Sequence, residues 1–182
     1  MQRWQQNIRV SLVSLKKPAE FHVLVLEQDV AFAQSLKFDL EKRLPVKVVT
    51  VHSLSATQLL LKGNPHQLFL SISAVAKDFK QIDLLQSFNI PVIAVIDQYE
   101  DALRDQLIKK NVLDYVVKTT SADTTYVCDL VARVFKNKTI KVLVIDDFKV
   151  SHFVIARELA LQKFQVMQVD NGVDAAGILK AC

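Results

Sequence analysis

The sequence predicts an α/β protein: a doubly wound five-stranded parallel sheet, then a partial second copy running strand, helix, strand, helix. Three observations lead there. Apolar segments of strand length alternate with segments whose apolar residues recur every three or four positions. That alternation occurs five times between Phe21 and Lys136. The run Val23-Leu24-Val25-Leu26 then returns as Val142-Leu143-Val144-Ile145, 119 positions on.

Residues 1–20 carry two patterns at once. Trp4, Ile8, Leu12 and Leu15 make a helical stripe, while Ile8, Val10 and Leu12 alternate with polar residues as in a strand. A short helix ended by Lys16-Lys17-Pro18 is the expectation for this N-terminal extension. His22–Leu26 reads as the first strand. Asp29 then caps a helix carrying Phe32, Leu36, Leu40 and Leu44. Val46–Val51 is the second strand, and Ser55–Lys62 a short helix stopped by Gly63-Asn64-Pro65. Leu68–Ile72 is the third strand and Ile82–Phe88 the next helix. Pro91–Ile96, apolar throughout, is the fourth strand, and Tyr99, Leu103 and Leu107 stripe the helix after it. Leu113–Val117 is the fifth strand. Ser121 or Asp123 caps a last helix with Val127, Leu130, Val131 and Val134 on one face.

Apolar strands alternating with helices imply a parallel sheet covered on both faces. With right-handed crossovers, the flavodoxin-like order 2-1-3-4-5 is the common solution, and its ligands bind at the carboxyl ends of the first and third strands. Asn137-Lys138-Thr139 is a linker. After it, Leu40 is matched by Leu159, and Val48 and Val51 by Val166 and Val169, now 118 positions on. One residue is therefore lost at the intervening turn. The expected organisation is an extension at 1–20, a complete domain at 21–136, the linker at 137–139 and half a domain at 140–182.

Composition narrows the function. The chain has 182 residues, 51% of them hydrophobic, which suits a buried core. The net charge is +4, and residues 1–20 alone contribute +3. That distribution does not predict a nucleic-acid surface, which needs basic residues clustered on a folded face. No apolar run approaches membrane-spanning length, and the N-terminus has no secretory pattern, so a cytoplasmic location is expected. Cys128 and Cys182 have no metal-ligand spacing, and Cys128 falls in a helical stripe as a small core residue. His22, His52, His66 and His152 are too scattered for a metal cluster. With only three glycines, a glycine-rich phosphate loop is excluded.

Chemistry concentrates at Val142–Asp147. Asp146 and Asp147 follow a buried strand where it opens into a loop, so both carboxylates can turn toward one point. At about 4 Å they repel by roughly 4 kcal/mol at an effective dielectric near 20. A hard divalent cation such as Mg²⁺ relieves this. The simpler use is a helix cap, for which one Asp, here Asp147, suffices.

These residues, with Ser151 and Arg157 on the next helix and Asp170-Asn171-Gly172 after the following strand, resemble the start of a response-regulator receiver domain. The resemblance implies that Asp146 and Asp147 hold Mg²⁺ when the domain is complete. An Asp ending strand three would take a phosphoryl group from a histidine kinase or phosphotransfer protein; the present sequence stops before that strand. Residues 21–136 resemble a degenerate receiver. Glu27 and Gln28 stand at the acid-pair positions, with Asp29 next. Ser71 is the expected counterpart of the acceptor Asp, and a Ser hydroxyl without an activating base is a poor nucleophile. Ile96 replaces the switch hydroxyl. Tyr115 matches the switch aromatic, Lys118 the phosphate-contacting lysine, and Thr119 stands where Pro usually follows. Apart from the family pattern, Lys118 is equally a solvated lysine or a partner for Glu27 or Asp29, and Tyr115 a core residue.

The resemblance implies a non-enzymatic regulatory region: a pseudo-receiver acting through protein contacts, then a truncated phosphoaccepting-type receiver. The fourth helix, fifth strand and fifth helix form the family's usual contact face. Tandem receivers resemble the input half of receiver–receiver–GGDEF diguanylate cyclases, which implies a downstream output domain and is compatible with a homodimer. DNA-binding and phosphodiesterase outputs fit the same arrangement. The rival class is a small α/β hydrolase or phosphatase using Asp146 and Asp147, although such phosphatases usually space their acids by one residue. Half a receiver leaves apolar surface bare, so the second copy is expected to be poorly ordered, packed on the first, or completed by swapping, with rapid proteolysis after about residue 138.

Overall fold

The computed structural model describes residues 21–63, 68–76, 78–118 and 124–181. The expectations for residues 1–20, His66, Thr119, Ser121, Asp123 and Cys182 lie outside them. Seven strands and seven helices alternate in the described chain: β1 Phe21–Leu26, α1 Val30–Arg43, β2 Val46–Val51, α2 Leu54–Gly63, β3 Leu68–Ala74, α3 Lys80–Ser87, β4 Val92–Ile96, α4 Asp101–Lys109, β5 Asp114–Val117, α5 Thr125–Asn137, β6 Lys141–Ile145, α6 Lys149–Leu161, β7 Gln165–Val169 and α7 Gly172–Ala181. Five strands form one parallel sheet in the order 2-1-3-4-5, while β6 and β7 form a separate parallel pair.

The large sheet is buried on both faces because its strands are apolar at consecutive positions; all five residues of β4 are buried. Val23, Val25, Leu70, Ile72, Ile93 and Val95 face α1 and α5. Leu24, Val92, Ala94 and Ile96 face the other way, toward Leu61 of α2, Ile82 and Leu85 of α3 and Leu107 of α4. Asp29 caps α1, accepting from the Phe32 N–H at 3.0 Å. Phe32, Ala33, Leu36 and Leu40 are its buried stripe, and Lys42 and Arg43 sit in its last turn, favourable to the dipole. The helix ends because Leu44 precedes Pro45 and is forced extended, at φ −132° and ψ 149°. Val127, Leu130, Val131 and Val134 of α5 are all buried, as their spacing predicts. Cys128 is buried too, and burial pushes its thiol up to about 11.

Several boundaries move. β3 runs to Ala74, two residues past the expected end, because its ladder continues to β4 through Ala74 and Val95. Tyr99 lies outside its predicted helix; its hydroxyl donates to Asp101, the first residue of α4. The linker is a hydrogen-bonded turn, with the Thr139 N–H on Lys136 and the Ile140 N–H on Asn137.

The duplication is visible in the backbone. Phe21 pairs with Val46 and Lys141 with Gln165, one residue closer, as the change of sequence offset requires. Past each first strand the same bonds recur. The Glu27 N–H reaches the Val51 carbonyl at 3.1 Å, and the Asp146 N–H reaches that of Val169 at 3.2 Å.

The candidate site at the carboxyl ends of the strands

Glu27 and Asp146 occupy equivalent turns. A Glu27 carboxylate oxygen accepts the Asp29 N–H at 2.9 Å, and Asp146 accepts the Phe148 N–H at 2.8 Å. In each case the first acid of the pair closes the turn two residues on, ahead of the helix.

In the five-stranded unit, β1, β3, β4 and β5 bring Glu27, Gln28, Ala74, Asp97 and Lys118 to one end of the sheet. Glu27 is only 7% exposed. Lys118 follows β5, anchored by its N–H on the Ile96 carbonyl at 2.8 Å. Its ammonium lies 3.0 Å from Asp29 and 3.6 Å from Glu27, over the Phe32 ring. The Phe32 N–H and then Lys118 hold the Asp29 carboxyl below the usual carboxylate range. Lys118 is thus a partner of Glu27 and Asp29 and not a solvated lysine. At this end of the sheet an ammonium stands against both the Glu27 and Asp29 carboxylates.

Ser71 is not at the acceptor position, which corrects the sequence expectation. It is the fourth of seven residues in β3, opposite Leu24 and fully buried, and its hydroxyl donates to the Pro91 carbonyl at 3.1 Å. Ser73 pairs with Leu26, so Ala74 follows on β3 as Glu27 follows on β1. Ala74 lines a cavity of about 250 Å³ with Glu27, Gln28, Val75, Ala76, Gln81, Val95 and Asp97. A methyl group therefore ends the third strand beside the acid-pair positions. Gln81 and Asp97 were not singled out from sequence; Asp97 directly follows β4, a place that strand topology marks in advance. Ile96 is buried on β4, and Tyr115 packs against the same cluster.

The β6–β7 pair presents Asp146 and Asp147. Ser151 donates its hydroxyl to Asp146, and together with the Phe148 N–H it lowers that carboxyl's pKa. Asp147 does not take the capping role expected of it: Phe148 is the N-cap residue of α6 and no side chain caps the helix, while Asp146 closes the turn ahead of it. Asp147 is exposed and makes no hydrogen bond among the described residues. The two acids are hard oxygen donors suited to Mg²⁺, but two carboxylates are only part of a six-ligand shell. Among the described residues no group of three or more His, Cys, Asp or Glu could hold a metal ion. Nor is any helix long and apolar enough to cross a membrane.

With this geometry in place, the comparisons identify the fold. A crystal structure described as a two-component system response regulator/GGDEF domain protein superposes on 89% of this chain and 66% of its own, at a TM-score of 0.76 and 20% identity. A second structure of the same description gives a TM-score of 0.75 at 21% identity, with the same coverage. An orphan response regulator of H. pylori matches 63% of this chain and 96% of its own, at a TM-score of 0.54 and 14% identity. No protein-family profile and no curated protein matches the sequence. The five-stranded unit has the receiver fold of response regulators, followed by a partial β-α-β-α copy. The chain spans 66% of the length of the two response regulator/GGDEF structures.

Proposed function

We propose that this chain is a regulatory input region in two-component signalling, in which the unit at 21–136 is a pseudo-receiver. The observation that carries the reading is the end of β3. β3 ends at Ala74, which has no nucleophilic atom, and this supports reading the strand as one that lacks the phosphoryl-accepting Asp expected of a receiver. The neighbouring charges are paired internally, with Lys118 held by Glu27 and Asp29. Such a unit keeps the fold and works through its surface. In the second copy, Asp146 and Asp147 supply the metal-holding end of a phosphoaccepting-type receiver, and Mg²⁺ bound there would offset the charge of an incoming phosphoryl group. The kinase or phosphotransfer partner belongs to that copy. A GGDEF output, making cyclic di-GMP, is the downstream partner that the likeness to the two response regulator/GGDEF structures supports.

Amide chemical-shift mapping with Mg²⁺ and beryllofluoride tests the reading. Resonances of Glu27, Ala74 and Lys118 are expected to stay in place at millimolar ligand. Saturable shifts at those three positions would refute the pseudo-receiver.

A further inference from the structure

The two units meet at the end of the sheets remote from the acid pair. The turn before β5, the turn between α5 and β6, and the turn between α6 and β7 come together there. Gln162, which closes α6, reaches both sides. Its carbonyl accepts from the Asn137 side-chain amide at 3.0 Å, and its own side-chain amide donates to the Leu113 carbonyl at 3.0 Å. Asn137 is buried at the end of α5. One turn earlier on α6, Arg157 donates to the side chain of Asn111 at 3.1 Å. Asn111 is left-handed, at φ 50°, a conformation Asn tolerates well, and this aims the turn after α4 at α6. Leu161 shares a cleft of about 280 Å³ with Ile90, Pro91 and Asn111. Gln165 donates to the Lys138 carbonyl at 2.7 Å, fixing the linker to β7.

We infer that Gln162 and Arg157 form a joint that holds the two copies in one relative orientation, with α6 as the strut. The thirteen-residue helix starts beside the acid pair and ends on the joint, spanning about 20 Å. Its partner is the first unit's turn between α4 and β5, so that part of the first unit's contact face is engaged within the chain. The donors and acceptors are mostly neutral amides and carbonyls, so the joint resists salt, unlike a docking surface built on ion pairs. The inference is independent of the phosphorylation chemistry, and neither reading fails with the other.

Nitroxide labels at Glu100→Cys and Val173→Cys, in a Cys182→Ser background of the full chain, read the orientation by electron–electron double resonance. The expected result is one narrow distance distribution, unchanged between 0.1 and 1 M NaCl. Gln162→Glu, which cannot donate to the Leu113 carbonyl, is expected to broaden it at least twofold. Arg157→Ala, at an exposed position that does not burden folding, is expected to broaden it less. A broad distribution in the parent, one that broadens only with salt, or a narrow one untouched by either substitution would overturn the inference.

Discussion

At the scale of single residues, the first copy is organised by Lys118. Its ammonium answers two carboxylates, one of them nearly buried, so removing it strands charge in a poorly solvated place. Lys118→Met is expected to cost about 2–3 kcal/mol in urea unfolding, and Glu27→Gln in the same chain should recover part of that loss. A cost for the double variant equal to the sum of the single ones would show the pair to be uncoupled. Asp29 adds a pH dependence of known sign. Its carboxyl is held below its unfolded value, which lies near 4, so its contribution is present above that value. It is lost as pH falls through the lower folded value. Thermal melts between pH 2 and 6 should therefore decline below about pH 4, and Asp29→Asn should flatten the decline. From sequence alone Lys118 stays open between a phosphate contact, solvent and the acids after β1, since spacing does not fix where a flexible side chain ends.

Among the elements, legibility followed periodicity. β1 and β4 were plain because consecutive apolar residues leave few alternatives, and α5 because Val127, Leu130, Val131 and Val134 repeat at helical spacing. The register of β3 was not plain. Ser71 and Ser73 sit two apart on one face, and a strand read alone does not reveal which residue lies beside Glu27. Only the ladder with β1 decides that Ala74, three residues later, holds the site position. The two first-turn helices differ in the same physical way. α1 buries Leu36 completely, whereas α6 leaves Phe153 66% exposed on an apolar stripe with Val150 and Val154. Leu36→Ala should destabilise the chain by about 3 kcal/mol. Phe153→Ser should change stability by less than about 0.5 kcal/mol. Equal effects in denaturant titrations would contradict the placing of Leu36 in a core and of Phe153 on a surface.

Across the whole molecule, one duplicated plan yields two outcomes. The turn that follows the first strand is conserved in geometry between the copies, down to the acid that accepts the amide two residues on. The chemistry set on that turn has diverged. In the first copy it is closed by an internal lysine and ends at an alanine; in the second, Asp146 and Asp147 stand open at the end of a two-stranded sheet. The repeat was legible because Val23–Leu26 and Val142–Ile145 keep the same four-residue apolar run, although the first run is wholly buried and only Val144 of the second is. The packing of α6 on the turn before β5 was not, because it rests on amide side chains with no periodic signature. Incubation with acetyl phosphate and Mg²⁺, followed by mass spectrometry of the intact chain and its peptides, tests the central claim most directly. No phosphoryl adduct is expected on any peptide from residues 21–136; a stoichiometric adduct within that segment would contradict a receiver fold without an acceptor.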